Sequence, residues 1–247
     1  MPPRRWRELS QNNITIIHTY YNERTYLETQ IERWNYYNTP VNIILIDDGS
    51  QIEPAENVLK EHKLNDNINF SLYRVTEDIG FNSHGCRNLG ARLAQSNWLL
   101  FLDIDYTLQP ADLKRLQTET LDLNSWYELN AKFQGRGNTY KALNQFMISR
   151  KLFLDSGGYD ESYVPFHYGD RELLSHLERK YQKNNLDWLV LTCRRGGRKS
   201  KVDDTIKIPV YDDENMLIYT PRFDKESIVH TDTKLNFTWE EVVINRG

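Results

Sequence analysis

The sequence predicts an α/β fold in which a mostly parallel sheet is flanked by helices, and two observations predict it. Strand-like and helix-like segments alternate through the first half of the 247-residue chain, which favours parallel strands joined by helical crossovers. Some strand-like segments, such as VNIILI at residues 41–46, are nearly continuous apolar runs, as is typical of strands buried on both faces. We expect a single domain, residues 1–247, with two halves at 13–105 and 106–195 and a loop and tail at 196–247.

The individual elements follow from local patterns. Apolar and β-branched runs predict strands in the first half at residues 13–19, 41–46, 69–75 and 98–102. Helical patterns between them predict helices at residues 23–36, 54–63 and 83–96. The second half is less regular, and its patterns predict strands at 143–149 and 188–193, a turn at 156–161 and a helix at 170–180. From about residue 202 onward, few signals indicate any structure.

Composition and charge exclude several classes of protein. Hydrophobic residues make up 39% and charged residues 27% of the chain, as in globular proteins. The formal net charge of −4 provides no general attraction to nucleic acid or to an anionic membrane. The longest apolar runs are too short to span a bilayer, and no signal peptide is expected. Because Cys86 and Cys193 lie far apart, we expect two reduced thiols in a cytoplasmic protein.

Polar and acidic residues follow three of the predicted strands. The first strand is followed by HTYYNE, the second by DDGS at residues 47–50, and the fourth by DID at residues 103–105. In open parallel sheets, ligands bind beyond the carboxyl ends of the strands. The sequence therefore predicts a functional site at this edge of the sheet.

The stretch DIDYT at residues 103–107 admits two interpretations. Asp-x-Asp-x-Thr after an apolar strand matches the first motif of haloacid-dehalogenase-like phosphatases, in which Asp103 would attack phosphorus. About a hundred residues of α/β pattern precede it, however, and the second acid such enzymes need is missing after Gly169-Asp170. Alternatively, Asp103 and Asp105 project to the same side of an extended segment, where two close carboxylates favour a shared divalent cation.

Taken in order, four motifs resemble family 2 glycosyltransferases of the GT-A fold. They are ITIIHTYYNE at 14–23, ILIDDGS at 44–50, GCRNLGARLAQSNWLLFLDID at 85–105 and SGGYDESYVPFHYGDREL at 156–173. The last motif is also similar to galactosyltransferases of that fold. The resemblance implies a metal-dependent transferase that moves a sugar from a UDP- or GDP-linked donor to a glycan or other hydroxyl acceptor. Inversion is the expected stereochemistry, with a retaining relative as the alternative.

The resemblance also implies that residues 13–105 form a nucleotide-sugar half and residues 106–195 an acceptor half. It implies a donor site as well. Its residues would be Thr19, Tyr21, Glu23, Asp48, Arg87, Asp103 and Gly158. Asp48 would accept a hydrogen bond from the nucleobase, because a carboxylate only accepts; uracil and guanine both offer an N–H group, so the base stays open. Arg87 would bind phosphate oxygens through two donors at once.

Metal and catalytic roles are implied in the same way. Asp103 and Asp105 would hold Mn²⁺ or Mg²⁺, which oxygen ligands suit, and His230 would supply a third ligand. Asp170 would be the general base that deprotonates the acceptor hydroxyl. Glu172 is the fallback, because many relatives have Glu-Asp where this chain has Asp170-Arg171.

Three further interpretations concern a basic loop, a non-enzymatic function and a different class of transferase. The basic stretch RRGGRKSK at residues 194–201 is interpreted as a lid whose arginines reach the diphosphate, since one short basic run in an acidic chain does not predict nucleic-acid binding. A sugar- or nucleotide-binding module without turnover is the non-enzymatic alternative. A nucleotidyltransferase is disfavoured because no glycine-rich, basic loop follows the first strand.

Overall fold

The computed structural model describes residues 12–163, 169–194 and 235–244. The strands of this part of the chain are β1 (Ile14–Tyr20), β2 (Val41–Asp47), β3 (Ile68–Val75), β4 (Trp98–Asp103), β5 (Tyr106–Thr107), β6 (Ser125–Phe133), β7 (Thr139–Ser149), β8 (Gln182–Cys193) and β9 (Trp239–Val242). Its helices are α1 (Arg24–Trp34), α2 (Ala55–Lys60), α3 (Ser83–Leu93), α4 (Pro110–Thr118), α5 (Arg150–Asp155) and α6 (Gly169–Lys180). A 3₁₀ turn covers Glu161–Tyr163.

The described strands form one mixed sheet in the order β5-β8-β6-β7-β4-β1-β2-β3-β9. Strand β1 pairs in parallel with β2 and with β4, and β2 pairs in parallel with β3. Strand β7 adds antiparallel to β4, and β9 adds antiparallel to β3. The predicted α/β class with a mostly parallel sheet and flanking helices is therefore confirmed.

Helices cover both faces of this sheet because the strand residues alternate between two cores. One core joins the strands to α1, α2 and α4, and the other joins them to α3, α5 and α6. In β1, Ile16 belongs to the first core and Ile17 to the second; in β4, Leu100 and Phe101 divide in the same way. Each such side chain, when fully buried, contributes about 1.5–3 kcal/mol.

In the second half of the sheet, the bounds of strand β8 differ most from the prediction. Strand β8 begins at Gln182, six residues before the predicted start at residue 188. Its polar first half, QKNNLD, pairs in parallel with the first half of β6, so backbone pairing there overrides the lack of an apolar pattern. Helix α4 and strands β6 and β9 were not predicted either.

The structure bears on two expectations from the sequence, the lack of a membrane span and the state of the two cysteines. In the described ranges, no helix is both long and apolar enough to cross a membrane. Cys86 and Cys193 are buried and do not form a disulfide, as expected for reduced thiols. The cytoplasmic location and the division into two halves and a tail stay predictions.

The close approach of α3 to the sheet depends on one glycine. A Cβ atom at Gly90 would lie 2.6 Å from Ile17 Cγ2, a distance that real Cβ atoms do not adopt. The small residue thus lets α3 lie against β1, which brings the first turns of α3 to the carboxyl end of β4.

We expect Gly90→Ala to destabilise the protein by about 1–3 kcal/mol through overpacking, although alanine favours a helix by about 1 kcal/mol. Urea unfolding measures the change. Gly137→Ala is the matched control, because a Cβ atom there meets nothing within 4 Å. Equal stability of the two variants would contradict the close contact.

Candidate functional site

The three polar clusters meet at the carboxyl edge of the parallel strands, as predicted. Thr19, near the end of β1, is in register with Ile46 of β2 and with Asp103 of β4. Asp47 is the last residue of β2, and Asp48 follows it directly. The residues predicted from three separate motifs therefore lie side by side at one edge.

Arg87 is the centre of this site. The residue is only 1% exposed, and its Nη2 donates to Asp103 Oδ1 at 2.5 Å. Its Nη1 donates to the Tyr159 hydroxyl at 2.6 Å and to Asp170 Oδ1 at 2.7 Å. Charge-assisted hydrogen bonds of this kind are among the stronger ones in proteins. One buried cation thus joins α3, the end of β4, the turn after α5 and the start of α6.

Asp103 is held on both carboxylate oxygens. Besides the bond from Arg87 to Oδ1, its Oδ2 accepts hydrogen bonds from Gln145 Nε2 at 2.7 Å and from Asn144 Nδ2. The backbone N–H of Asp103 donates to Gln145 Oε1 at 2.6 Å. Burial raises the pKa of Asp103, and nearby Asp170 raises it further, whereas Arg87 lowers it.

Sequence reasoning missed Asn144 and Gln145. Both belong to β7, and Gln145 is fully buried within it. A signal was present, because LNQFMIS places two adjacent amides inside an otherwise apolar strand, and buried amides need hydrogen-bond partners. The identity of that partner depends on the pairing of β7 with β4.

Two glycines shape the turn that delivers Tyr159. Gly157 has a φ angle of 89° and Gly158 one of 67°, which is backbone that side chains disfavour. Asn88 of α3 then fixes the turn: its Oδ1 accepts from the Tyr159 N–H at 2.9 Å, and its Nδ2 donates to the Tyr159 carbonyl at 2.9 Å. The Tyr159 hydroxyl donates to Asp170 Oδ1 at 3.0 Å.

Of the two candidate bases, Asp170 lies in this network. Arg87 forms its ion pairs with Asp103 and Asp170, and the second oxygen of Asp170, Oδ2, lies 4.0 Å from His84 Nε2. Glu172 lies in the same first turn of α6 but is only 3% exposed. The geometry favours Asp170 over Glu172.

The imidazole of His84 also fixes where α6 begins. It stacks on the Tyr159 ring with the ring centroids 5.2 Å apart. A Cβ atom at Gly169 would lie 2.7 Å from His84 Cε1. The absence of a side chain at Gly169 therefore lets the first turn of α6, and with it Asp170, approach the His84 ring.

The two aspartates at the end of β2 have different environments. Asp47 accepts from the N–H groups of Ser50 at 2.9 Å and Ala55 at 2.7 Å, so it closes the turn and fixes the start of α2. Asp48 is 4% exposed, and its Oδ2 accepts from the Asn82 N–H at 2.9 Å. Burial raises the pKa of Asp48 to about 7, outweighing the lowering by that hydrogen bond.

The loop after β1 is tied to this turn through Asn22, which sequence reasoning also missed. The Asn22 N–H donates to Ser50 Oγ at 2.9 Å, and its Oδ1 accepts from the N–H groups of Ile52 and Glu53. Its positive φ angle of 51° is one that asparagine tolerates better than most residues.

The remaining predicted donor residues flank this loop. The Tyr21 hydroxyl donates to Asp78 Oδ2 at 2.8 Å. The backbone carbonyl of Glu23 accepts from the N–H groups at the start of α1, and Thr19 is partly buried beside Asp103. The Gly158 N–H donates to the Phe153 carbonyl at 3.2 Å. Donor binding by these residues stays a prediction.

Asp105 contacts a different set of groups from Asp103. Its Oδ2 accepts from the Cys193 thiol with a separation of 3.7 Å, and its carbonyl accepts from the Arg194 N–H at 2.9 Å. The turn after β4 thus directs the two carboxylates toward different partners. His230 and residues 195–201 of the predicted lid lie outside the described residues.

The donor set nevertheless fits a divalent cation. The described ranges contain no group of three His, Cys, Asp or Glu side chains that could hold a metal. Mg²⁺ and related hard cations, however, are commonly bound by one or two carboxylates, with substrate phosphates and water completing the shell. Asp103 and Asp105 supply ligands of that kind.

The position of Asp103 in the chain argues against the phosphatase interpretation. Such phosphatases carry the Asp-x-Asp-x-Thr motif on their first strand, whereas Asp103 ends β4, the fourth strand along the chain.

Comparison with known proteins adds a family and a fold. The model of Glycosyl transferase family 2 matches residues 15–203. The structure is similar to S. aureus TarS 1-349 in complex with UDP-GlcNAc, with a TM-score of 0.63 and 13% identity over 80% of this chain and 62% of that chain. It is also similar to the mannosyltransferase PcManGT from Pyrobaculum calidifontis in complex with GDP-Man and Mn²⁺, with a TM-score of 0.59 and 13% identity over 76% and 58% of the two chains.

These likenesses show the fold, and they cover only part of each solved structure. The chain spans about three fifths of the length of the solved structures it matches. No curated protein sequence matches it significantly.

We expect Asp48→Asn to reduce the pH dependence of stability between about pH 4 and pH 7. The pKa of Asp48 is raised from 3.8 to about 7, so the folded protein holds this proton more strongly than the unfolded chain. The resulting stabilisation is complete below about pH 4 and is lost as the pH rises to about 7. Its upper limit is about 4 kcal/mol, and urea unfolding across this range measures it.

Asp122→Asn is a control with the opposite sign. Hydrogen bonds from Asn124 hold the pKa of Asp122 below its usual value, so its contribution is lost as the pH falls. Parallel stability curves for the wild type and Asp48→Asn would contradict the raised pKa.

Proposed function

Because this chain belongs to glycosyl transferase family 2 and has the GT-A fold, we propose that it transfers a sugar from a nucleoside-diphosphate sugar to a hydroxyl acceptor, with inversion. The observation that carries the proposal is the buried Arg87, which joins Asp103 to Asp170 at the edge where β1, β2 and β4 end. In this proposal Asp103 faces the donor diphosphate through a divalent cation, and Asp170 faces the acceptor.

The donor in this proposal is a UDP- or GDP-linked sugar. Complexes of similar folds with UDP-GlcNAc and with GDP-Man support a nucleotide-sugar donor. The nucleoside would lie along Thr19, Tyr21, Glu23 and Asp48, with the diphosphate toward Asp103 and the sugar near Gly158. The buried Asp48 carboxyl is an acceptor for a base N–H group.

Arg87 acts in this proposal mainly by fixing carboxylates. Both N–H groups of its Nη1 are used by Tyr159 and Asp170, and its Nη2 donates to Asp103. Its burial under these side chains supports a positioning role. A direct contact with the diphosphate stays a prediction.

Asp103 and Asp105 would hold Mn²⁺ or Mg²⁺, with His230 as a further ligand. The PcManGT complex contains Mn²⁺, which supports a divalent cation in this proposal. When bound, the ion would neutralise charge that develops on the leaving nucleoside diphosphate.

Asp170 is the general base of the proposed reaction. Its Oδ1 accepts hydrogen bonds from Arg87 and Tyr159, which orients the carboxylate. Neither of these hydrogen bonds uses Oδ2. The acceptor hydroxyl would give its proton to Oδ2 while attacking the anomeric carbon from the side opposite the diphosphate. A base placed in this way contributes about 10²–10⁴-fold to the rate.

We expect Asp170→Asn to lower kcat by at least about 10²-fold with a smaller effect on donor binding, since the amide keeps the shape but accepts no proton. Release of nucleoside diphosphate and formation of product measure turnover, and NMR of the first-formed anomer tests inversion. Asp155→Asn is the control, because it removes an exposed carboxylate paired with Lys151. A wild-type rate in Asp170→Asn would transfer the role to Glu172, to be tested as Glu172→Gln.

We expect donor binding to depend on a divalent cation and on Asp105. A ligand at 100 times its Kd stabilises a protein by about 2.7 kcal/mol, so UDP- and GDP-sugars are screened by thermal shift with and without Mn²⁺. Asp105→Asn should weaken the Mn²⁺-dependent part of the shift. Donor binding and turnover that persist in EDTA would contradict the metal, and binding without any turnover would favour the non-catalytic module.

A further inference from the structure

The carboxyl-terminal segment reaches the candidate site from beyond the family match. That match ends at residue 203, whereas β9 lies at Trp239–Val242 and pairs antiparallel with β3. The Thr76 N–H donates to the Thr238 carbonyl at 3.0 Å, and Arg74 forms an ion pair with Glu240. The strand is therefore attached at the edge of the sheet on the nucleoside side.

The residues just before β9 lie against α3 and the turn that carries Tyr159. The Asn236 N–H donates to Glu161 Oε2 at 2.9 Å. A Cβ atom at Gly85, in the first turn of α3, would lie 2.5 Å from Phe237 Cε1. Leu235 and Phe237 also pack against the core on the α3 face of the sheet.

Glu161 links this segment to the ion-pair network. Its Oε1 accepts from Asn88 Nδ2 at 2.9 Å, and the same Asn88 amide holds the N–H and the carbonyl of Tyr159. The Asn88 side-chain amide thus makes three hydrogen bonds, one to Glu161 and two to the backbone of Tyr159. Through Tyr159, whose hydroxyl contacts Arg87 and Asp170, the chain of hydrogen bonds reaches the proposed base.

We propose that Glu161 is a positioning residue of the transferase and that residues 235–238 hold it in place. This inference rests on the proposed function. Glu161 does not contact the reacting groups; it fixes Asn88, which fixes the Tyr159 turn, which orients Asp170. Because both Glu161 oxygens are engaged, its loss leaves one Asn88 N–H and the Asn236 N–H without this acceptor, and unmet donors allow the turn to shift.

The test compares Glu161→Gln and Glu161→Ala with the wild type. Glutamine keeps one acceptor oxygen and alanine keeps none, so we expect kcat to fall about 10-fold and about 10²-fold, as a shift of about 1 Å in a catalytic group produces. The donor KM should change by less than about threefold, because donor contacts are retained. Glu240→Gln is the matched control, since it changes β9 only at an exposed ion pair.

Hydrogen–deuterium exchange provides a readout that does not depend on activity. In Glu161→Ala, amide exchange should rise in residues 156–163 and 235–238 and stay unchanged in β1 and β4. Unchanged exchange, an unchanged kcat, or a loss of turnover that merely follows the unfolded fraction would each overturn the positioning role. A wild type that binds donor but forms no product would overturn the proposed function instead, and the exchange data would then decide separately whether Glu161 holds the turn.

Discussion

The burial of the Arg87 guanidinium is the constraint on which the rest of the site depends. Taking a guanidinium out of water costs several kcal/mol unless ion pairs and hydrogen bonds replace the lost hydration. Arg87 obtains them from Asp103, Asp170 and Tyr159, which come from three distant parts of the chain. The two carboxylates exceed the single guanidinium by one negative charge. Asp103, whose side chain is partly exposed, lies at the sheet edge, where the proposed divalent cation would balance this charge.

Strand pairing and the close approach of α3 to the sheet determine the position of Arg87. Parallel pairing puts Thr19 next to both Ile46 and Asp103, so the ends of three strands are level. Gly90 then lets α3 lie close to Ile17, and Arg87 stands one turn earlier on the same helix. Asn88, the next residue, faces the Tyr159 turn. A single close helix–strand contact thus positions both the cation and the amide that organise the second half of the site.

The sequence predicts the first half of the fold well because its signals are local. The apolar runs of β2 and β4 and the helical pattern of α3 place these elements within a few residues of their observed bounds. Strand β9 and the polar half of β8 escape prediction because their stability comes from pairing with strands far away in the sequence. The same reason explains the site: motifs identify Asp48, Arg87, Asp103 and Asp170 as a group, but only strand pairing shows that Asn144 and Gln145 bind Asp103.

Counting hydrogen bonds also distinguishes a carboxylate with both oxygens held by side chains from one with a single oxygen held in this way. Asp103 has both oxygens occupied by side-chain donors, whereas Asp170 has its Oδ1 occupied by Arg87 and Tyr159 while Oδ2 lies 4.0 Å from His84 Nε2, beyond hydrogen-bond length. The side chain of Asp170 is 14% exposed, whereas Glu172 is buried. The proposed base therefore has a geometric argument that does not depend on the motif, and the same argument favours the proposed binding role of Asp103.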